Sequence, residues 1–307
     1  MRAIDALRLV GGGDAGTVST SFDVTIQTSG VDDTFTLPTK AGYTYSANVD
    51  WGDESNSEIT AFDDADITHT YAVEGAYTIK ITGTFEAWSF NNSGDKLMVT
   101  AVHFGSGVLF KYLTDGFYGC TNLATLTGNI GDDNISSLSR CFRHCSTLSS
   151  IPSGLFDNNT SVASFPSCFS ECSTLSSIPS GLFDNNTSVT DFTSCFRLTN
   201  ISSIPSGLFD NNTSVAYFVV CFSGCTSLTS IPIGLFNNNN VVTSFGSCFS
   251  GCTNLTVSSR ELWLNPSGAG NYTLTSPDYD TGVPIGGDCY RDCTNLTDYA
   301  TIPTYWK

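Results

Sequence analysis

The 307-residue sequence predicts a mixed fold, an N-terminal antiparallel β-sandwich followed by an α/β repeat solenoid. Two observations carry that prediction. Between residues 21 and 90, short runs of alternating apolar and polar residues are separated by turn formers, the pattern of strands with one buried face. Further on, the dipeptide Cys-Phe recurs at 141, 168, 195, 221 and 248, at intervals of 27, 27, 26 and 27 residues, the mark of a repeat architecture. Composition agrees, since helix formers are scarce while Gly (28 residues), Asn, Ser and Thr are abundant.

Taken in order, residues 1–20 read as a flexible or docking tail, because the Gly-Gly-Gly-Asp-Ala-Gly run holds no regular structure alone. This end lacks a signal-peptide core, as Asp5 and Arg8 interrupt it and Gly11 to Gly13 end it, so the reading expects no export signal in the chain as given. Residues 21–90 read as the sandwich: Phe22 to Ile26, Thr34 to Leu37 and Tyr77 to Ile81 each alternate. Residues 91–114 read as a junction, with a turn at Asn91 to Asp95 and a strand near Leu97 to Val102. Residues 115–307 read as repeats with a C-terminal cap, and the pattern is interrupted over 256–288. Trp263 and Trp306 are the expected cap residues, since a repeat array must cover its last core edge.

One unit reads CFxxCxxLxxIPxGLFDNNTxVxxFxx. Val162, Phe165, Cys168, Phe169 and Cys172 are spaced by three or four residues, which predicts a short helix with one apolar face. Asp157 to Thr160 would cap its start, Pro179 would bar a helix further on, and Gly181 would turn the chain into the buried pair Leu182 and Phe183. The repeated core is assigned to Cys141, Phe142 and Cys145; Cys168, Phe169 and Cys172; Cys195 and Phe196; Cys221, Phe222 and Cys225; and Cys248, Phe249 and Cys252.

Two family resemblances follow from these residues. Val49-Asp50-Trp51-Gly52-Asp53, then His69-Thr70-Tyr71, then Gly75-Ala76-Tyr77-Thr78-Ile79 resembles the PKD family of immunoglobulin-like domains, with Glu54 where that family carries Gly. The resemblance implies a small β-sandwich used as a spacer or adhesion module, and no catalysis. Between Asp50 and Asp53 a hydrogen-bonded turn is favoured over a cation site. The unit Cys221-Phe222-Ser223-Gly224-Cys225-Thr226-Ser227-Leu228-Thr229-Ser230-Ile231 resembles the BspA-like leucine-rich repeats of bacterial surface proteins, a resemblance covering about residues 115–300. It implies adhesion or recognition. Similar architectures occur in bacteriophage-encoded proteins.

Charge and residue usage narrow the function. With 29 acidic and 12 basic residues the net charge is −17, which disfavours nucleic-acid and anionic-membrane partners. No stretch approaches the length of a membrane span, so no membrane insertion is expected. Histidine occurs only at 69, 103 and 144, and the sequence carries neither a G-x-S-x-G elbow nor a phosphate-binding Gly-Lys-Ser/Thr loop, so no enzyme, metal or cofactor is expected. The twelve cysteines fit neither zinc spacing nor a complete disulfide scheme within or between repeats, and buried thiols are favoured over structural disulfides. The asparagines of the DNNT segments are read as helix caps rather than glycosylation acceptors.

In a repeat array the core recurs while the surface drifts. The drifting positions beside each Cys-Phe single out Arg143, His144, Glu171, Asp191, Arg197 and Tyr217 as the candidate recognition surface. The function expected is a non-enzymatic, virion-displayed structural or adhesion protein of a bacteriophage. Its N-terminal region would bind virion structural proteins, and its repeats would face a host cell-surface protein or glycan. The alternative is a secreted or cell-surface bacterial adhesin, and both a single copy and a homo-oligomer remain open.

Overall fold

The computed structural model describes residues 20–131, 134–256, 287–302 and 304–307. The expected tail before Thr20, the interrupted segment 257–286 and the cap residue Trp263 lie outside the described residues.

Eight strands form near the N-terminus. They are β1 (Phe22–Gln27), β2 (Asp33–Thr36), β3 (Tyr45–Asp50), β4 (Asn56–Ile59), β5 (Thr68–Tyr71), β6 (Ala76–Phe85), β7 (Val99–Phe104) and β8 (Thr125–Gly128). Six make one sheet in the order β4-β3-β6-β1-β7-β8, and β2 pairs with β5 in a separate two-stranded sheet. In β1, Phe22, Val24 and Ile26 are buried while their neighbours face outward, as alternation requires. β1 lies centrally, antiparallel to β6 with Phe22 opposite Ile81 and to β7 with Phe22 opposite Phe104.

The sheet runs on into the repeats. β7 pairs in parallel with β8, Ala101 opposite Thr125, and β8 lies just after the first repeat-like segment at Phe117. On another side, Ala87 bridges Tyr112 in parallel, and the same kind of bridge then links Ser137, Ser164, Asp191, Tyr217 and Ser244 in turn. One continuous apolar core joins both regions, with Trp88 against Phe22 at 5.1 Å and against Phe117 at 5.9 Å.

This corrects the expected fold class. Among the described residues there is no α-helix, only 3-10 turns at Ala65–Ile67, Lys96–Met98, Tyr299–Thr301 and Thr304–Trp306. The repeats are not an α/β leucine-rich-repeat solenoid, because they contribute neither a helix nor a continuous or closed sheet; single-residue bridges join them. The N-terminal sheets are also unlike a pair of antiparallel layers, since six strands lie in one mixed sheet and two in the other.

The physical reason lies in the backbone of each unit. Ser167 (φ 56°) and Glu171 (φ 66°) sit in the left-handed region, which a right-handed helix cannot contain. The backbone N–H of Cys168 reaches only to the Phe165 carbonyl (3.2 Å), and that of Cys172 to Phe169 (3.3 Å). The intervening N–H groups turn to the next repeat: Phe169 donates to Cys195 (2.9 Å) and Glu171 to Arg197 (2.7 Å). Tight turns therefore bury every third or fourth residue, as a helix would, while alternate donors tie successive repeats together and leave few backbone groups unsatisfied.

Stacking fills the core. The Cys-Phe rings form one column, Phe142 to Phe169 at 5.4 Å and Phe169 to Phe196 at 5.7 Å, with planes within 7°. A second column runs through Phe165, Phe192, Phe218 and Phe245, and a third through Phe156, Phe183, Phe209 and Phe236. At the far end Tyr290 continues the first column and Trp306 packs on Tyr290 at 6.2 Å, the packing role expected of that tryptophan.

Candidate functional site

The DNNT asparagines do not cap helices. Asn212 is fully buried and donates from Nδ2 to the Phe183 carbonyl (3.0 Å) and the Asn186 carbonyl (2.9 Å) of the preceding repeat. Asn186 and Asn239 repeat the arrangement, while the exposed Asn185, Asn211 and Asn238 reach back to the carbonyls of Asp157, Asp184 and Asp210. Two asparagine ladders, one inside and one outside, thus replace the expected caps.

The cysteines form two further columns, and all twelve are free, buried thiols. Most of the second cysteines donate Sγ–H to a Phe carbonyl one repeat back: Cys172 to Phe142 (3.1 Å), Cys225 to Phe196 (3.1 Å), Cys252 to Phe222 (3.1 Å). At the position that lacks a cysteine, Thr199 bonds its own Phe196 carbonyl (2.8 Å) and lies 3.3 Å from Cys225 Sγ. Burial pushes most of these thiols up, Cys172 to about 12 and Cys168 well above the ordinary thiol value, so they are protonated and shielded structural groups.

At the sheet end, Asp50 accepts from Gly52 N (2.9 Å) and Asp53 accepts from Ser55 N (3.1 Å) and pairs with His69 Nε2 (2.8 Å). The hydrogen-bonded turn is therefore what forms between these carboxylates. His69 is clamped between Trp51, stacked at 4.8 Å, and Tyr71, edge-on at 4.7 Å.

The outward face of the repeats holds the candidate recognition residues. Arg143 and Arg197 share one carboxylate, Arg143 Nη2 to Glu171 Oε1 at 2.9 Å and Arg197 Nη1 to the same oxygen at 3.2 Å. All three are half-buried, so this is a row across three successive repeats. His144 is exposed and occupies the place in its repeat that Glu171 occupies in the next. Asp191 and Tyr217 are brought together elsewhere, as adjacent members of the parallel bridge line. Asp191 accepts from Thr193 N (2.7 Å), whereas Tyr217 projects outward, 47% exposed.

The row extends beyond the residues singled out from sequence. The Arg143 guanidinium lies over the Tyr118 ring at 5.1 Å, and Arg140 grips Asp115 with two bonds of 2.5 and 3.0 Å. Tyr118 occupies the Arg143 position of the divergent Gly116-Phe117 copy, so reading each column one repeat earlier would have found it. Arg140 stands where the next two repeats carry Ser167 and Ser194, and its partner Asp115 holds the same position one copy earlier.

Compared with known proteins, the chain matches no protein-family profile. It matches no curated protein. Among solved structures it is similar to a leucine-rich cell surface protein from Faecalibacterium prausnitzii, at 15% identity over 73% of this chain and 78% of that one. The TM-score is 0.24, a likeness too slight to carry fold or function.

Proposed function

We propose that the chain is a non-enzymatic recognition protein displayed on a bacterial surface, with the repeat stack holding a binding face outward. The observation that carries this reading is the contrast between columns. Inward, Phe, Cys and Asn recur repeat after repeat; outward, one bridge line reads Ser164, Asp191, Tyr217 and Ser244. A scaffold held by repeated core contacts can change its outward residues freely, which is the way repeat proteins build binding surfaces. The partner under this reading is a host protein or glycan.

A second reading, display on a bacteriophage particle, is favoured by the free thiols, because a protein assembled in a reducing cytoplasm keeps its cysteines reduced. The test is saturable binding of the labelled, folded chain to whole cells and to immobilised glycans, alongside mass spectrometry of cell-envelope and particle fractions from the source. Saturable binding with peptides in the envelope supports the first reading, and peptides at fixed ratio to capsid protein support the second. A folded chain that binds nothing, and is found in neither fraction, overturns both.

A further inference from the structure

The basic residues of this acidic chain are not spread evenly. Nine lie among the described residues, and five of them fall in one band that crosses from the sheet to the third Cys-Phe repeat. At the sheet end, Lys40 sits over the Tyr112 ring at 4.7 Å, Tyr43 packs on the same ring at 5.4 Å, and Lys111 pairs with Glu86 at 2.6 Å. Further along come Arg140 on Asp115, then Arg143 over Tyr118, then Glu171 shared with Arg197. Contacts link Asp115, Tyr118, Arg140, Arg143, Glu171 and Arg197 stepwise, and with neighbouring repeats about 4.8 Å apart the stretch from Tyr118 to Arg197 spans roughly 15 Å.

Within the band the ion pairs leave positive charge over. On the repeats three arginines, Arg140, Arg143 and Arg197, meet two carboxylates, Asp115 and Glu171, and Glu171 serves two guanidinium groups with one oxygen. Arginine forks suit carboxylate and sulfate groups, and a sugar ring's C–H face would take the place of the Arg143 guanidinium on Tyr118 once that arginine turns to an acid group. Among the described residues the row's exposed large apolar side chain is Leu198 beside Arg197, a single residue and not the contiguous apolar centre that a protein partner would need. We propose that this band binds an acidic polysaccharide, a chain of sugar rings bearing carboxylate or sulfate groups, laid along the repeat axis. In this arrangement Asp115 and Glu171 hold the arginines in place until the acid groups of the ligand take over as their partners.

The inference rests on the recognition reading and sharpens it to one face and one ligand class. Its test uses the full chain and purified polymers, with polygalacturonate and dextran sulfate as probes and uncharged dextran as control. A protein of net charge −17 is repelled by polyanions at long range, so retention requires a local site. The expected result is binding to at least one polyanion and none to dextran, weakening steeply as salt rises. Arg143→Gln with Arg197→Gln should weaken it at least roughly tenfold, the scale of lost charged hydrogen bonds. Glu171→Gln should strengthen binding, because it frees both guanidinium groups, a gain that a merely structural ion pair would not give. No binding to either polyanion, or binding unchanged by these variants while their melting temperatures hold, overturns the proposal. Cell binding that survives the arginine variants would overturn this site alone and leave the recognition reading standing.

Discussion

Raising the pH should unfold this protein through its thiols. Burial is the leading cause that raises Cys120, Cys141, Cys145, Cys168, Cys172, Cys195, Cys221, Cys248, Cys289 and Cys293 above the ordinary value of 9.0. Cys252 is raised chiefly by its hydrogen bond with Cys225, which despite its burial is lowered by the same bond, so this pair stands outside the sum. A raised folded value means the stabilising contribution is whole below the unfolded value and is lost as pH climbs towards the folded one. At pH 9.0 each unfolded thiol is half ionised, which favours unfolding by about 0.4 kcal/mol. Over the ten thiols raised by burial the loss is about 4 kcal/mol, a large part of the roughly 5–15 kcal/mol that holds a typical domain. By pH 10 each thiol costs about 1.4 kcal/mol and the total nears the top of that range. Urea unfolding followed by circular dichroism between pH 7.5 and 9.0 measures the change directly, with thiolate absorbance in the ultraviolet as a second readout. A stability that falls by less than about 1 kcal/mol over that interval, or native thiols that titrate near 9.0, would refute the buried-thiol columns.

Other predictions follow from the ladders and the turns. Asn212→Ala removes two buried inter-repeat bonds and should cost about 2–4 kcal/mol in urea unfolding, whereas Asn211→Ala, which loses one exposed bond, should cost under about 1 kcal/mol. Phe196→Ala opens a hole between the Phe169 and Phe222 rings in mid-column and should cost about 3–5 kcal/mol by the same assay. Val220 is β-branched yet held at φ 59°, so Val220→Asn should raise stability by about 1 kcal/mol, visible as a higher melting temperature.

The repeat and its buried columns were legible because a fixed period puts equivalent residues on one side of the chain whatever the local backbone does. The Cys-Phe pairs are buried. The helix was misread because spacing of three and four residues does not distinguish a helix from successive tight turns. A signal was present: Glu171 shares its column with Gly119, Gly224 and Gly251, all at positive φ, and a column that accepts glycine repeatedly announces a left-handed turn. The asparagines misled for a related reason, since a short amide side chain that bonds backbone suits a helix cap and an inter-repeat ladder equally. Of the candidate surface, Arg143, Glu171 and Arg197 do meet, because they occupy neighbouring columns in successive repeats. Tyr118 and Arg140 escaped because they belong to divergent positions, and Asp191 with Tyr217 forms a separate line.

The account holds that inward columns carry stability while outward residues carry binding. One variant tests that division most directly: Arg143, Asp191, Arg197 and Tyr217 replaced by Ser and Glu171 by Gly, residues that recur in those columns. Melting temperature and surface binding are then measured together. The account predicts a folded protein with its melting temperature little changed and its saturable binding gone. Binding retained in full by this variant, with the fold intact, would contradict it.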